Sequence, residues 1–187
     1  MDDLDEIEET TSNEVISPYI ITEIENIVDI SPKDLQSDNI YIILKNKLKQ
    51  LFNKKCVENY GYVDTIYNII EYTEGEVLID NFDGLIRYNV KYNAKICNPI
   101  MNNLLECKIE NINNNIISAK NGPIIVIISV NNINNKKFKI TENSEILNIN
   151  ENKNLQISDN IIVKVLMSEF YNNKNEIFVF GYLENYI

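Results

Sequence analysis

The chain is 187 residues long with 44% hydrophobic and 24% charged side chains, enough for one large or two small globular domains with a real core. It contains no histidine, which excludes every mechanism that relies on an imidazole base, nucleophile partner or metal ligand. The net charge of -11 is unevenly spread: ten acidic residues precede Lys33, the first base, and leave 18 acids against 17 bases over the rest.

Residues 1–18, opening MDDLDEIEETTSNE, read as an acidic flexible arm; a signal peptide would instead place Lys or Arg before an apolar stretch. No apolar run approaches the ~20 residues that span a bilayer, so the expectation is an intracellular protein with no membrane partner. Cys56, Cys97 and Cys107 form no C-x-x-C pair. They read as reduced, buried, small apolar residues, and neither metal nor cofactor is expected. Isoleucine and asparagine dominate core and loops alike, the signature of an A/T-rich genome, and the Asn runs at 113–115 and 131–135 read as turns.

From residue 19 to 30 the apolar positions Ile20, Ile21, Ile24, Ile27, Val28 and Ile30 mix strand and helix periods. Ser31-Pro32 decides for a strand, because a proline forces its predecessor toward extended geometry. Residues 38–53 carry Ile40, Ile43, Leu44, Leu48, Leu51 and Phe52 at spacings of three and four, which predicts a helix whose opposite face presents Lys45, Lys47 and Lys49. That basic face is either solvated or turned toward phosphate or an acidic protein.

Beyond Cys56 the pattern becomes strand-like at 61–66, 76–79 and 85–96, with Asn81-Phe82-Asp83-Gly84 as the turn before the last. Asn98-Pro99 marks a boundary, dividing the chain into 19–98 and 99–187. The second part holds strands at 104–109, 115–120, 124–130, 145–148, 160–168 and 176–183, the pattern of a small closed barrel such as an OB-fold. With no room for helical crossovers the sheet is expected to be antiparallel. The fold class is therefore α+β: a helix packed on an antiparallel sheet, then an OB-fold β-barrel.

Along these elements stand, in order, Ser31-Pro32, Tyr60-Gly61-Tyr62, Gly75, Asp83-Gly84, Asn89-Val90-Lys91-Tyr92-Asn93-Ala94, Pro99, Gly122-Pro123 and Phe180-Gly181-Tyr182-Leu183. This order resembles the seventh subunit of eukaryotic RNA polymerase II and its archaeal and viral counterparts, over about residues 20–187. All five glycines fall where the family pattern has one. The chain departs from the pattern at Asn102-Asn103, where the family has Gly-Glu, and at Asn115-Ile116-Ile117 before the Gly-Pro strand.

The resemblance implies a non-catalytic stalk subunit of a multisubunit DNA-dependent RNA polymerase. Residues 19–98 would be its tip domain, docking at the clamp base through Tyr60, Gly61 and Tyr62 and through Asn81, Phe82, Asp83 and Gly84. Lys91, Tyr92 and Pro99 would lie at the domain join. The barrel would sit near the RNA exit path and touch nascent RNA weakly, with Lys120, Phe138, Lys164, Tyr171 and Phe178 as the contact residues. The implied partners are the large polymerase subunits and the small subunit at the clamp base. Cellular and archaeal members add a helical stalk partner, and poxvirus-like members work without one. The implied source is a large DNA virus or an A/T-rich protist, with a location in virion and host cytoplasm in the first case and nucleus in a cellular one.

Two other classes stand beside this reading. A stand-alone OB-fold module would bind single-stranded nucleic acid. An enzyme finds no support: the chain has no Walker-type or dinucleotide glycine loop, and Glu74, Glu76, Asp80 and Asp83 read as solvated carboxylates in a turn-rich stretch.

Overall fold

The computed structural model describes residues 14–36, 39–77, 83–141 and 145–187. Over the described residues the chain is β-rich, with one α-helix and two hydrophobic cores. The first twelve residues of the expected acidic arm, and residue 13, lie outside the described residues.

Strand β1 (Tyr19–Ile30) stops at the proline as its sequence requires, and a short 3-10 turn (Asp34–Gln36) leads into helix α1 (Ile40–Phe52). Asn39 caps that helix: its side chain accepts a hydrogen bond from the Tyr41 amide at 3.0 Å, a contact that contributes about 1 kcal/mol. There follow β2 (Lys55–Val57), β3 (Gly61–Tyr72), β4 (Glu76–Val77) and β5 (Ile86–Cys97). The expected strand at 76–79 is described only for its first two residues. The sheet runs β1-β5-β3-β2, with β4 also on β5, and all its pairings are antiparallel.

Helix α1 covers one face of this sheet. Its Leu44 and Leu48 are fully buried against Ile24, Val28, Val63 and Tyr92. Strand β3 serves that face in an unusual way. Val63, Ile66, Ile69 and Tyr72 stand opposite Ile96, Ala94, Tyr92 and Val90, and a register shift falls in each interval. The bulges thus make every third residue of β3, rather than every second, face the core under the helix from Val63 to Ile69, while Tyr72, 40% exposed, lies beyond that core.

The second core is a closed barrel built from β6 (Leu104–Ile112), β7 (Ile116–Asn121), β8 (Ile124–Ile133), β12 (Asn160–Phe170) and β13 (Ile177–Tyr186). Between β8 and β12 lie β9 (Phe138–Ile140), β10 (Ile146–Asn148) and β11 (Lys153–Asn154), a small sheet that delivers Phe138, Ile146 and Leu155 into the barrel core. The barrel order is β12-β13-β8-β7-β6, and it fits an OB-fold. The all-antiparallel expectation is corrected at one place: β8 and β13 are parallel, from Ile124↔Ile177 to Ile133↔Leu183. An odd ring cannot alternate direction all the way round, so a five-stranded barrel closes only by including a parallel pair. The small sheet and β12 supply the long connection that this pair needs, in place of a helix. Among the described residues no helix is long and apolar enough to cross a membrane.

Candidate docking and nucleic-acid surfaces

The Tyr60-Gly61-Tyr62 segment sits where the two cores meet. Tyr62 is buried, and it packs with Cys56 and Cys97 in the barrel's hydrophobic cluster rather than in that of the helix. Gly61 has φ 98°, and a Cβ on it would lie 2.6 Å from the Cys97 carbonyl oxygen. The close backbone approach that glycine permits is therefore taken up by the chain's own β5. Strand β2 is tied to the β12–β13 turn: the Asn173 amide donates to the Cys56 carbonyl at 2.9 Å, and the Cys56 thiol donates to the Glu176 carbonyl at 3.5 Å. Pro99 is buried at the connection between the cores. Next to it Asn102 adopts φ 70° and donates its amide to the Val165 carbonyl at 2.8 Å. Asparagine tolerates this left-handed conformation.

The Asp83-Gly84 turn lies at the other end of the sheet. Gly84 has φ 60°, and the atom nearest to a Cβ there is Cγ of Pro32, so the Ser31-Pro32 and Asp83-Gly84 turns adjoin. Asn81 and Phe82, expected to dock with them, lie outside the described residues. Because β5 begins next to Gly84 and ends at Cys97 beside Gly61, the two expected docking loops stand roughly 36 Å apart along the strands.

Lys91 and Tyr92 are neighbours in β5 with opposite roles. Tyr92 is fully buried in the core under α1, and its hydroxyl donates to Asn26 Oδ1 at 2.7 Å. Lys91 faces the other side of the sheet, where its ammonium meets Glu23 at 3.0 Å and Glu71 at 3.9 Å. On that side too, Arg87 donates twice to Asp29, at 2.9 and 3.0 Å, and these bonds hold the Asp29 carboxyl below its ordinary range. Lys54 meets Asp64 at 2.6 Å and lowers that carboxyl likewise. Lys91 and Tyr92 thus lie within the first sheet, with Tyr92 in the core under α1, rather than at the join of the cores.

The barrel's outer face carries the nucleic-acid candidates. Along β13 the residues Ile177, Val179 and Leu183 point inward, while Phe178, Phe180 and Tyr182 remain at least partly open to solvent. Pairing sets Phe178 between Ile125 and Glu169, with Lys120 beyond Ile125. Phe180 lies between Ile127 and Met167, and Tyr182 opposite Lys164. Lys120, Lys164 and Phe178 thus share one face, joined by Phe180, Tyr182 and Met167, which the candidate set omits. The alternation of buried and open positions in β13 was the available signal. Tyr171 is 63% exposed, in the same β12–β13 turn that binds β2. Phe138 is corrected: at 1% exposure it is a barrel-core residue, and its ring offers no stacking surface.

All three cysteines are free and buried, and burial pushes their thiols up, Cys56 to about 11 and Cys97 and Cys107 to about 12. Among the described residues no cluster of His, Cys, Asp or Glu is arranged to hold a metal ion. The arrangement is suited to binding through a flat aromatic and aliphatic face edged by two lysines.

These features define a two-core protein built around an OB-type barrel. No protein-family model matches the chain. It is 37% identical over 160 residues to DNA-directed RNA polymerase subunit L376 of Acanthamoeba polyphaga mimivirus, covering 86% of this chain and 78% of that protein. It is 24% identical over 150 residues to DNA-directed RNA polymerase II subunit rpb7 of Dictyostelium discoideum, covering 80% of this chain and 86% of the relative. The chain belongs to the rpb7-like family of DNA-directed RNA polymerase subunits. Its role in transcription is accessory rather than catalytic, and the mimivirus relative supports a viral source.

Proposed function

We propose that the chain is the stalk subunit of a viral multisubunit RNA polymerase, with residues 19–98 docking at the clamp base and residues 99–187 lying near the RNA exit path. The observation that carries this reading is the extent of the similarity. A match over 160 residues cannot be accommodated by the barrel alone and takes in both cores, as expected of a polymerase subunit and not of a free-standing OB module. The joined architecture supports the same reading, because backbone hydrogen bonds between Cys56 and the β12–β13 turn let a docked first half fix the barrel's position.

The exposed Asp83-Gly84 end of the sheet, adjoining Ser31-Pro32, is the docking end, since Gly61 and Tyr62 are committed to the chain's own interior. The partners are the large polymerase subunits and the small subunit at the clamp base, with or without a helical stalk partner. Nascent RNA lies across Phe178, Phe180 and Tyr182, with Lys120 and Lys164 reaching its phosphates. The setting is intracellular, in virion and host cytoplasm. Affinity purification of the tagged chain from its native source, with mass spectrometry, tests the reading. Recovery of the two largest polymerase subunits in near-equal amounts is the expected result; recovery of the chain alone or with ribosomal proteins would move the assignment to a free-standing module.

A further inference from the structure

The aromatic row on the outer face of β13 leads to a cleft between the two cores. Glu176, Phe178, Phe180 and Tyr182 follow one another at every second residue, about 7 Å apart along the strand. Glu176, at the foot of this row, lines a cleft of about 420 Å³ together with Asn175 and Lys120 of the barrel and Tyr19, Lys54 and Asp64 of the first half. The walls are tied to each other and within themselves: the Cys56 amide donates to the Lys174 carbonyl, beside Asn175, and the Ile177 amide donates to the Pro123 carbonyl at 2.9 Å. The cleft is thus formed by the chain's own backbone contacts, as ligand sites generally are.

Its charged groups select a ligand. Lys54 meets Asp64 at 2.6 Å, but its side chain is 57% exposed, and an ammonium has three donors, so two remain for an anion. Lys120 has no ion pair among the described residues, and Lys95 lies 4.7 Å from the centroid of the Tyr19 ring. An acidic peptide would set further carboxylates against Glu176. A nucleotide brings one anion for the lysines, and its ribose hydroxyl and base edge can donate to Glu176 and Asn175. We propose that the cleft is a second subsite for single-stranded RNA, taking the nucleotide next beyond Phe178, with its phosphate at Lys54 and its sugar and base toward Glu176 and Asn175. The inference rests on the reading of the β13 face as the RNA surface, and it brings the first half of the chain into the RNA path.

Fluorescence anisotropy of the full chain with a labelled octauridylate, long enough to pass from the row into the cleft, tests it across several salt concentrations. Lys54→Gln should weaken binding about three- to fivefold near 0.1 M salt and make the log–log salt slope shallower by about 0.7, the share of one phosphate contact on a single strand. Lys54→Arg keeps the charge that meets Asp64 and should bind like the parent. Asn175→Lys adds a cation at an exposed position of the same cleft, and should tighten binding by a similar factor with a slope steeper by about 0.7, a gain that unfolding cannot mimic. Phe178→Ala with Phe180→Ala separates this inference from the reading beneath it. If that pair weakens binding while Lys54→Gln and Asn175→Lys leave it unchanged, the RNA stops at the barrel and the cleft is not a subsite. If Lys54→Gln weakens binding and the aromatic pair does not, the cleft holds RNA and the reading of the β13 face fails. An equal loss in Lys54→Gln and Lys54→Arg, or no binding by the parent, would also overturn the proposal.

Discussion

The Asn173 amide donates to the Cys56 carbonyl at 2.9 Å, so the turn of the barrel's last hairpin is hydrogen-bonded to β2, a three-residue edge strand of the first sheet. Asn173 holds φ 63° to make this bond. Proline at this position lacks the N–H and is locked near φ −65°, so Asn173→Pro should lower stability by about 2–4 kcal/mol in urea unfolding. Asn173→Gly keeps the donor and suits the conformation, and should stay within about 0.5 kcal/mol of the parent. Equal effects of the two would mean that the contact does not join the cores.

Gly61 and Gly84 offer a paired test of what glycine does here. Both have positive φ, but a Cβ at Gly61 would also strike the Cys97 carbonyl, whereas at Gly84 the nearest atom is 3.8 Å away. Gly84→Ala should cost about 1 kcal/mol, the ordinary penalty of the left-handed region. Gly61→Ala should cost about 3 kcal/mol or more, because backbone rather than a flexible side chain must move. Chemical denaturation ranks them, and a Gly61→Ala cost no greater than that of Gly84→Ala would contradict the geometry.

Much of the first sheet was legible in the sequence, and the exceptions have physical causes. Pro32 ends β1 at Ile30, and Leu44 and Leu48 mark the buried face of α1. Strand β3 reads as ending near Ile66 because its bulges convert the strand period from two to three, which dissolves the alternation that marks a strand. Strands β2 and β11 are only 3 and 2 residues long and carry no period at all. Phe138 stands among Lys136, Lys137 and Lys139 in the sequence, yet the small sheet turns it into the barrel core. The parallel β8–β13 pair follows from ring closure, which no local pattern reports. Of the site, Lys120, Lys164 and Phe178 were recoverable one by one, but their common face depends on register.

Acid should weaken the first sheet through two carboxylates. Hydrogen bonds from Arg87 and Lys54 hold Asp29 and Asp64 below their ordinary value of 3.8 in the folded chain. A group whose folded pKa is depressed contributes stability above its unfolded pKa and loses it as pH falls through the folded one. Stability should therefore decline below about pH 4, and Asp29→Asn with Asp64→Asn should reduce both the neutral-pH stability and the slope of that decline. Unfolding free energies measured from pH 7 down to pH 2 check this; an unchanged acid slope in the double variant would remove these pairs from the account.

The thiols should be silent in the native state. Cys97 and Cys107 are nearly or fully inaccessible, and burial pushes both up to about 12, so very little thiolate exists at neutral pH. Alkylation at neutral pH should proceed only through opening of the structure, and should become rapid at all three cysteines in denaturant. Cys56 lies at the join and is pushed up only to about 11, so it should react first if the cores separate locally before they unfold. Mass-resolved labelling gives the order, and labelling of Cys107 ahead of Cys56 would show that the barrel opens before the join.

The outer barrel face predicts how RNA binding should respond to mutation and to salt. Phe178 and Phe180 are next-but-one neighbours on β13, both at least partly open to solvent, and stacking on an aromatic contributes about 1–3 kcal/mol per base. Phe178→Ala with Phe180→Ala should therefore weaken binding of a short single strand by about tenfold or more, with little loss of stability because neither ring belongs to the core. Phe138→Ala should do the reverse: it should destabilise the barrel by about 3–5 kcal/mol and affect RNA only through unfolding. The face offers Lys120 and Lys164 to phosphates, so log affinity should fall with log salt with a slope of only about −1.4, and replacing either lysine by Gln should remove about half of it. Fluorescence anisotropy at several salt concentrations measures both quantities. A slope of about −4 or steeper, or binding indifferent to the Phe178 and Phe180 substitutions, would place the RNA on another surface of the chain.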